Sequence, residues 1–252
     1  MRILLLNPPF VSRFNRTGCR WPSKTRSDTV CYPIWLAYAT GALQQRGFEV
    51  RLIDAPASNL SLKKIVELGK SWTPNMVVLD TSTPTICNDV FVGSTLKPAL
   101  DVLIVLVGPH VSALPKESLS MSDRIDAVCV GEYDYTLVDL AQTVESGGDL
   151  ASVKGIAFRK GGCAMLTSRR PFIQDLDSLP FVSKIYAQFL NVYNYFYSLC
   201  RHPMVQIMGS RGCAHHCVYC AWPQVLMGHR IRYRSIGNIV DELEYIKRKL
   251  PM

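Results

Sequence analysis

Five apolar runs, none alternating with polar residues, recur across residues 1–147 and set the strongest limit on the fold. They are residues 2–6 (RILLL), 50–54 (VRLID), 76–83 (MVVLDTST), 102–108 (VLIVLVG) and 127–130 (AVCV). Such runs mark strands buried on both faces, as in a parallel sheet. Each is followed by a helix-length segment: 33–46, 62–72, 86–98, a short one near 115–121, and 135–147. Pro33 suits the first turn of its helix and Gly47 its stop. Five strand–helix units predict an α/β fold, a Rossmann-like doubly wound parallel sheet. The 48% hydrophobic content supplies the core such a sheet needs.

Ligands of doubly wound sheets bind beyond the carboxyl ends of the strands. Here those ends are Asn7-Pro8-Pro9, Asp54-Ala55-Pro56, Thr81-Ser82-Thr83, Gly108-Pro109-His110 and Gly131-Glu132. Glycine, proline and small hydroxyls let a large ligand come close to the backbone. His110 reads as a loop hydrogen-bonder rather than a metal ligand. Glu132 reads as a carboxylate in the N-terminal region of the following helix rather than an acid catalyst.

The character changes after residue 147. Residues 148–180 read as two strands joined at Gly161-Gly162, a hairpin, then a DLDSLPF linker (175–181). Residues 184–199 carry Tyr186, Phe189, Tyr193 and Phe196 at helical spacing and predict a helix packed on a neighbouring domain. MVQIM (204–208) predicts a further buried strand, followed by the loop GSRGCAHHCVYCAWPQ. A last helix is expected over 236–249, capped by Ser235, with Ile236, Ile239, Val240, Leu243 and Ile246 on one stripe. The expected organisation is 1–147, a hairpin and helical linker over 148–200, and a third segment over 201–252.

The net charge of +8 lies at the two ends of the chain; residues 54–200 are mildly acidic. No RNA-binding aromatic motif or recognition-helix pattern accompanies the basic ends, so nucleic acid is not an expected partner. No run approaches the ~20 apolar residues of a membrane span, and the short N-terminal apolar run lacks a cleavage-like site. A cytoplasmic chain is expected, with its nine cysteines as thiols or ligands rather than disulfides.

Cys213, Cys217 and Cys220 have the spacing C-x3-C-x2-C. Three close thiolates make a compact metal claw. Bound to a cubane iron–sulfur cluster they would leave one iron open. Gly209 and Gly212 let the loop fold tightly, so that amides can face the sulfurs and tune a cluster. Zinc is the competing metal, with His215 or His216 as a fourth ligand, but the second ligand pair of the usual zinc patterns is missing.

This loop resembles that of radical S-adenosylmethionine (SAM) enzymes, in which a C-x3-C-φ-x-C loop follows the first strand of a partial TIM-type barrel. The resemblance implies a 4Fe-4S cluster on Cys213, Cys217 and Cys220, SAM on the open iron, and Tyr219 beside the adenine. LLNPPF (5–10), TSTPT (81–85), VGPHVSALP (107–115) and VGEYDYTL (130–137) extend it, over nearly the whole chain, to the cobalamin-binding radical SAM family. That implies cobalamin at the strand ends, near Asn7, Pro8, Gly108, His110, Gly131 and Glu132, with Thr81, Ser82 and Thr83 on its amides or nucleotide tail. Two departures stand out. The Asp-x-His-x-x-Gly signature that supplies a lower cobalt ligand elsewhere is absent, and Val107 stands where the family often has the first of two glycines.

By family, the expected chemistry is radical methyl transfer to an unactivated carbon of a small-molecule substrate, fed by an electron donor such as flavodoxin or ferredoxin. Ring closure or oxidation is also represented. A radical SAM barrel has some six strand–helix units; only the first is present, and the family's Gly-Gly-Glu-like segment is not. The chain is therefore expected to be the N-terminal portion of such an enzyme, its last helix stripe and strand edge uncovered. The competing readings are a non-catalytic cobalamin module completed by another, barrel-bearing chain, and a zinc-stabilised α/β binding protein.

Overall fold

The structure, a computed structural model, describes residues 1–18 and 22–251. One seven-stranded sheet runs in the order β2-β1-β3-β4-β5-β6-β7. Its strands are β1 (Arg2–Asn7), β2 (Glu49–Asp54), β3 (Met76–Asp80), β4 (Leu103–Val107), β5 (Ala127–Cys129), β6 (Ile156–Lys160) and β7 (Cys163–Leu166). The first five are parallel and in the predicted places. Helices α1 (Ile34–Gln45), α2 (Ala55–Ser58), α3 (Leu62–Trp72), α4 (Ile86–Leu100), α5 (Pro109–Ala113), α6 (Pro115–Ser120) and α7 (Asp134–Glu145) fill the crossovers and the connection after β5.

The apolar runs do not alternate because both faces are covered. Leu4, Leu6, Val77, Leu79, Ile104 and Leu106 point to the α3, α4 and α6 side. Ile3, Leu5, Met76, Val78, Val105 and Val107 point to α1, α7 and α8 (Val182–Phe189). α1 is buried at every residue from Ile34 to Leu43.

Three features differ from the sequence expectation. The Gly161-Gly162 hairpin forms, but β6 pairs antiparallel with β5, so the sheet continues past residue 147. The open edge of β5 offers backbone donors and acceptors that the hairpin takes up. The helix expected over 184–199 is α8 and stops at Phe189. Asn191 then starts a turn by accepting from the Tyr193 amide, as asparagine does in competition with a helix. Phe196 pairs instead with Val30. Residues 204–208 form no strand; among the described residues no sheet includes them. α9 (Ile236–Lys249) is capped by Ser235 as expected, and Ile236, Val240 and Leu243 are exposed, in line with the expected uncovered stripe; its buried residues are Glu242 and Ile246.

No helix among the described residues is long and apolar enough to cross a membrane.

Candidate cofactor site at the carboxyl edge of the sheet

The sheet order makes β1 the strand flanked by β2 and β3, the point where the winding direction reverses and a crevice opens. Residues 8–18, which follow β1, pack against that crevice through Arg16 and Thr17. Arg16, on this segment, is fully buried. It donates to Asp89 Oδ1 at 2.7 Å, to Asn7 Oδ1 at 2.7 Å and to the Pro8 carbonyl at 2.8 Å. Asn7 in turn donates to Asp54 at 2.8 Å, and Tyr195 donates to the other Asp54 oxygen at 3.0 Å. Thr17 donates to Asp80 Oδ2, while Asp80 Oδ1 is buried without a partner.

Burial pushes the Asp54 carboxyl up to about 6 and the Asp80 carboxyl up to about 7, against hydrogen bonds that favour the charged form. The Tyr133 hydroxyl is also buried without a partner. Burial first, and then the Asp80 charge, push its phenol well above its ordinary value. Arg16, Thr17, Asp80 and Asp89 were not singled out from sequence; a carboxylate closing a wholly apolar strand was the available signal.

The expected contact residues divide into two groups. Asn7 and Pro8 belong to the Arg16 network. The Thr81 hydroxyl donates to the Val107 carbonyl at 2.7 Å, and the Ser82 and Thr85 hydroxyls lie 2.8 Å apart; all are buried. These hydroxyls are engaged inside the protein. Thr83 is exposed and lies 3.2 Å from His110 Nδ1. Burial holds the His110 imidazole below its usual pKa, with Asp89 opposing.

Gly108 has φ +113°, and a Cβ there would sit 2.4 Å from the Thr81 carbonyl oxygen, so only glycine fits the close approach of β4 to β3. Gly131 has φ +81°, and a Cβ there would meet the Val225 carbonyl oxygen at 3.9 Å; its amide donates to Ser112. Glu132 does not cap α7, whose N-cap is Tyr133 with no side-chain bond. It is buried and faces the cysteine loop.

That loop is a closed excursion. Its base is the antiparallel pair β8 (Ser210–Arg211) and β9 (Arg232–Tyr233). Gly212, at φ +106°, lets the two arms touch: a Cβ there would lie 2.1 Å from the Arg230 carbonyl oxygen. The Cys213 amide donates to Gly228 at 3.1 Å and the Cys220 amide to Cys217 at 3.0 Å.

The base is held by buried ion pairs. Arg211 grips Asp134 at 2.7 and 3.1 Å and packs over Trp35 and Tyr38. Arg232 grips both Glu132 oxygens at 2.8 Å. Arg234 donates to Glu242 at 2.6 Å, and Ser183 donates to the other Glu242 oxygen. These arginines also escaped the sequence reading. Their signal was the alternation IRYRS (231–235), whose period of two puts Arg232 and Arg234 on one face.

Cys213 and Cys217 are partly exposed, Cys220 is buried, and all three are free thiols. Tyr219 is exposed. Among the described residues no group of three or more His, Cys, Asp or Glu side chains is gathered to hold a metal ion. The donor set itself, three soft thiols on an irregular loop with a fixed base, fits an iron–sulfur cluster.

The loop folds back on the strand ends. A cavity of about 230 Å³ lies between Thr17, Gly18, Ile34 and Trp35 on one side and Cys213, Trp222 and Met227 on the other. Small-molecule sites usually measure roughly 300–1,000 Å³, so this one suits the edge of a large ligand rather than its whole body.

Comparison with known proteins agrees with the fold. Residues 24–141 match the B12 binding domain model. The fold and its edge thus define a B12-binding α/β domain carrying a cysteine loop. An uncharacterized methyltransferase of Pyrococcus horikoshii is 27% identical over 98% of this chain and 50% of its own length. The anaerobic magnesium-protoporphyrin IX monomethyl ester cyclase of Synechocystis is 30% identical over 98% of this chain and 47% of its own. The radical SAM methyltransferase TsrM from Kitasatospora setae, solved with cobalamin and a [4Fe-4S] cluster bound, superposes with a TM-score of 0.68 at 18% identity, over 98% of this chain and 47% of that one; this likeness is one of fold. The chain thus carries a match to the B12 binding domain and is similar, along nearly its whole length, to the relatives just named. It spans about half the length of the curated relatives it matches.

Proposed function

We propose that the chain binds cobalamin at the carboxyl edge of its sheet and a [4Fe-4S] cluster on Cys213, Cys217 and Cys220, and that it serves radical methyl transfer to an unactivated carbon of a small molecule. The observation that carries this reading is the fold-back of the cysteine loop onto the strand ends, which puts Cys213 and Trp35 on the walls of one cavity. Gly131, Thr83 and His110 are the strand-end residues left accessible to a corrin. The buried hydroxyls of Thr81 and Ser82 shape the floor instead. Tyr219 stands exposed beside Cys220 for the adenine of SAM.

When bound, the cluster and SAM would supply a carbon-centred radical and the cobalamin a methyl group. The protein's part is to hold them at one edge. Ring closure is the second reading, favoured by the cyclase relative at 30% identity. A cobalamin unit completed by another chain is a third, favoured by exposed Ile236, Val240 and Leu243 on α9. In each case the corrin unit would include the β6–β7 hairpin, residues 201–252 would form the cluster segment, and a flavodoxin or ferredoxin would donate electrons.

The test is anaerobic reconstitution of the 252-residue chain with iron and sulfide, followed by titration with hydroxocobalamin. About four irons per chain, lost in Cys213→Ala, and saturable cobalamin uptake are expected. One equivalent of zinc with no iron, or no cobalamin uptake, would overturn the reading.

A further inference from the structure

The cysteine loop packs Leu226 into the sheet domain's core and is also tied to it by polar contacts with the two acids that follow β5. Both arms of its base take part. Arg211, on β8, binds Asp134 with two guanidinium nitrogens, and Arg232, on β9, binds both oxygens of Glu132. All four side chains are at least 95% buried. Arg211 also lies 3.7 Å from Glu132, so the two pairs form one cluster. Glu132 receives the Ile173 amide as well, at 2.9 Å. With both oxygens bonded and the side chain 2% exposed, this carboxylate is engaged within the protein. Arg232 further donates to the carbonyls of Ile173 and Met227 at 2.6 and 2.7 Å, which joins the far end of the loop to the same point.

We propose that Glu132 and Asp134, with Arg232 and Arg211, are positioning residues: a two-point clamp that fixes the cysteine loop at the carboxyl edge of the sheet. The role rests on the reading above that this loop carries the cluster. Two paired guanidinium forks define distance and rotation together, which apolar contacts do not. Buried ion pairs of this kind give little net stability over an apolar replacement; what they impose here is register. Gly131, one residue before Glu132, is an expected corrin neighbour, so the clamp joins the two cofactor regions within a single turn of chain.

The test uses the full chain. In Glu132→Gln/Arg232→Met both charges are removed together, which avoids leaving one buried and unpaired; Arg232→Lys keeps the charge and loses the fork. Chymotrypsin cleavage after Tyr219 and Trp222 should rise about tenfold in the double variant, as the loop opens locally. In the reconstituted double variant the electron paramagnetic resonance signal of the reduced cluster, and its change on adding SAM, should be altered. Arg232→Lys should lie between it and the wild type, and hydroxocobalamin affinity should stay within about twofold.

An unchanged cleavage rate with an unchanged cluster signal would overturn the clamp. So would lost cobalamin affinity with an intact loop, which would make Glu132 a corrin contact. If the wild-type chain takes up no iron, the cluster reading falls, while cleavage and cobalamin binding still decide the clamp.

Discussion

The parallel sheet and the cysteine-loop segment are built on opposite plans. In the sheet, Ile3 to Leu6, Met76 to Leu79 and Ile104 to Val107 are all essentially inaccessible, and the strands are held by area removed from water. In residues 210–249 the buried side chains include Arg211, Arg232, Arg234 and Glu242, while Val218, Ile236, Val240 and Leu243 face outward. Charged side chains there share the interior with Leu226 and Ile246. Apolar burial tolerates small slips, whereas a buried arginine fork must meet its carboxylate or leave a charge stranded. The first plan makes a self-sufficient domain. The second fixes where a loop sits.

The most direct way to break the contrast is Asp134→Ala. It strands Arg211, which is 2% exposed and packed on Trp35, and should cost about 3–5 kcal/mol in urea unfolding. Adding Arg211→Met should restore much of that loss. If Asp134→Ala alone is neutral, the loop segment is not held by charge and the contrast fails.

Gly108→Ala tests the sheet side. A Cβ at φ +113° facing the Thr81 carbonyl should cost roughly 1–3 kcal/mol, read as a lower urea midpoint, with weaker cobalamin uptake. A neutral result would mean that β3 and β4 can separate at their ends.

How much of each plan could be read in advance follows from its range in sequence. The five strands were legible because each is a local apolar run, and the hairpin because Gly161 and Gly162, both at positive φ, mark a tight turn. Ser235 and the cysteine spacing are local too. The clamp joins residues 77 and 100 positions apart, and nothing near Arg211 or Arg232 announces its partner. Residues 204–208 have strand composition but need a neighbour to become a strand, and composition cannot supply one. On α9 the stripe Ile236, Val240, Leu243 was legible as a pattern, yet the face turned inward is the one carrying Glu242, because Arg234 and Ser183 draw that carboxylate in. Periodicity reports where apolar residues lie; a strong polar contact can decide which face is buried.

A more gradual effect separates the regions by pH. Asp54 and Asp80 have folded pKa values raised by burial to about 6 and about 7, above the roughly 3.9 of an unfolded aspartate. Between these values the folded state holds more protons than the unfolded one, so stability falls as pH rises from about 4 to about 7 and levels off above. Asp80→Asn should flatten part of this slope in urea titrations at successive pH values. If wild-type stability instead rises through that window, these acids are charged in the fold and the burial argument fails.

The smallest effect belongs to the exposed face of α9. Leu243 is 50% exposed and Val240 45%, so each loses little area on folding. Leu243→Ser should change the stability of the isolated chain by no more than about 0.5 kcal/mol. A buried leucine such as Leu79, by contrast, should cost about 2–5 kcal/mol when cut to alanine. The pair of measurements sets the two plans against each other with one residue type. A large loss at Leu243 would mean that α9 packs its apolar stripe inward in solution. Glu242 would then have to leave Ser183 and Arg234, and the charge-held segment would become a small apolar core like the one beneath the sheet.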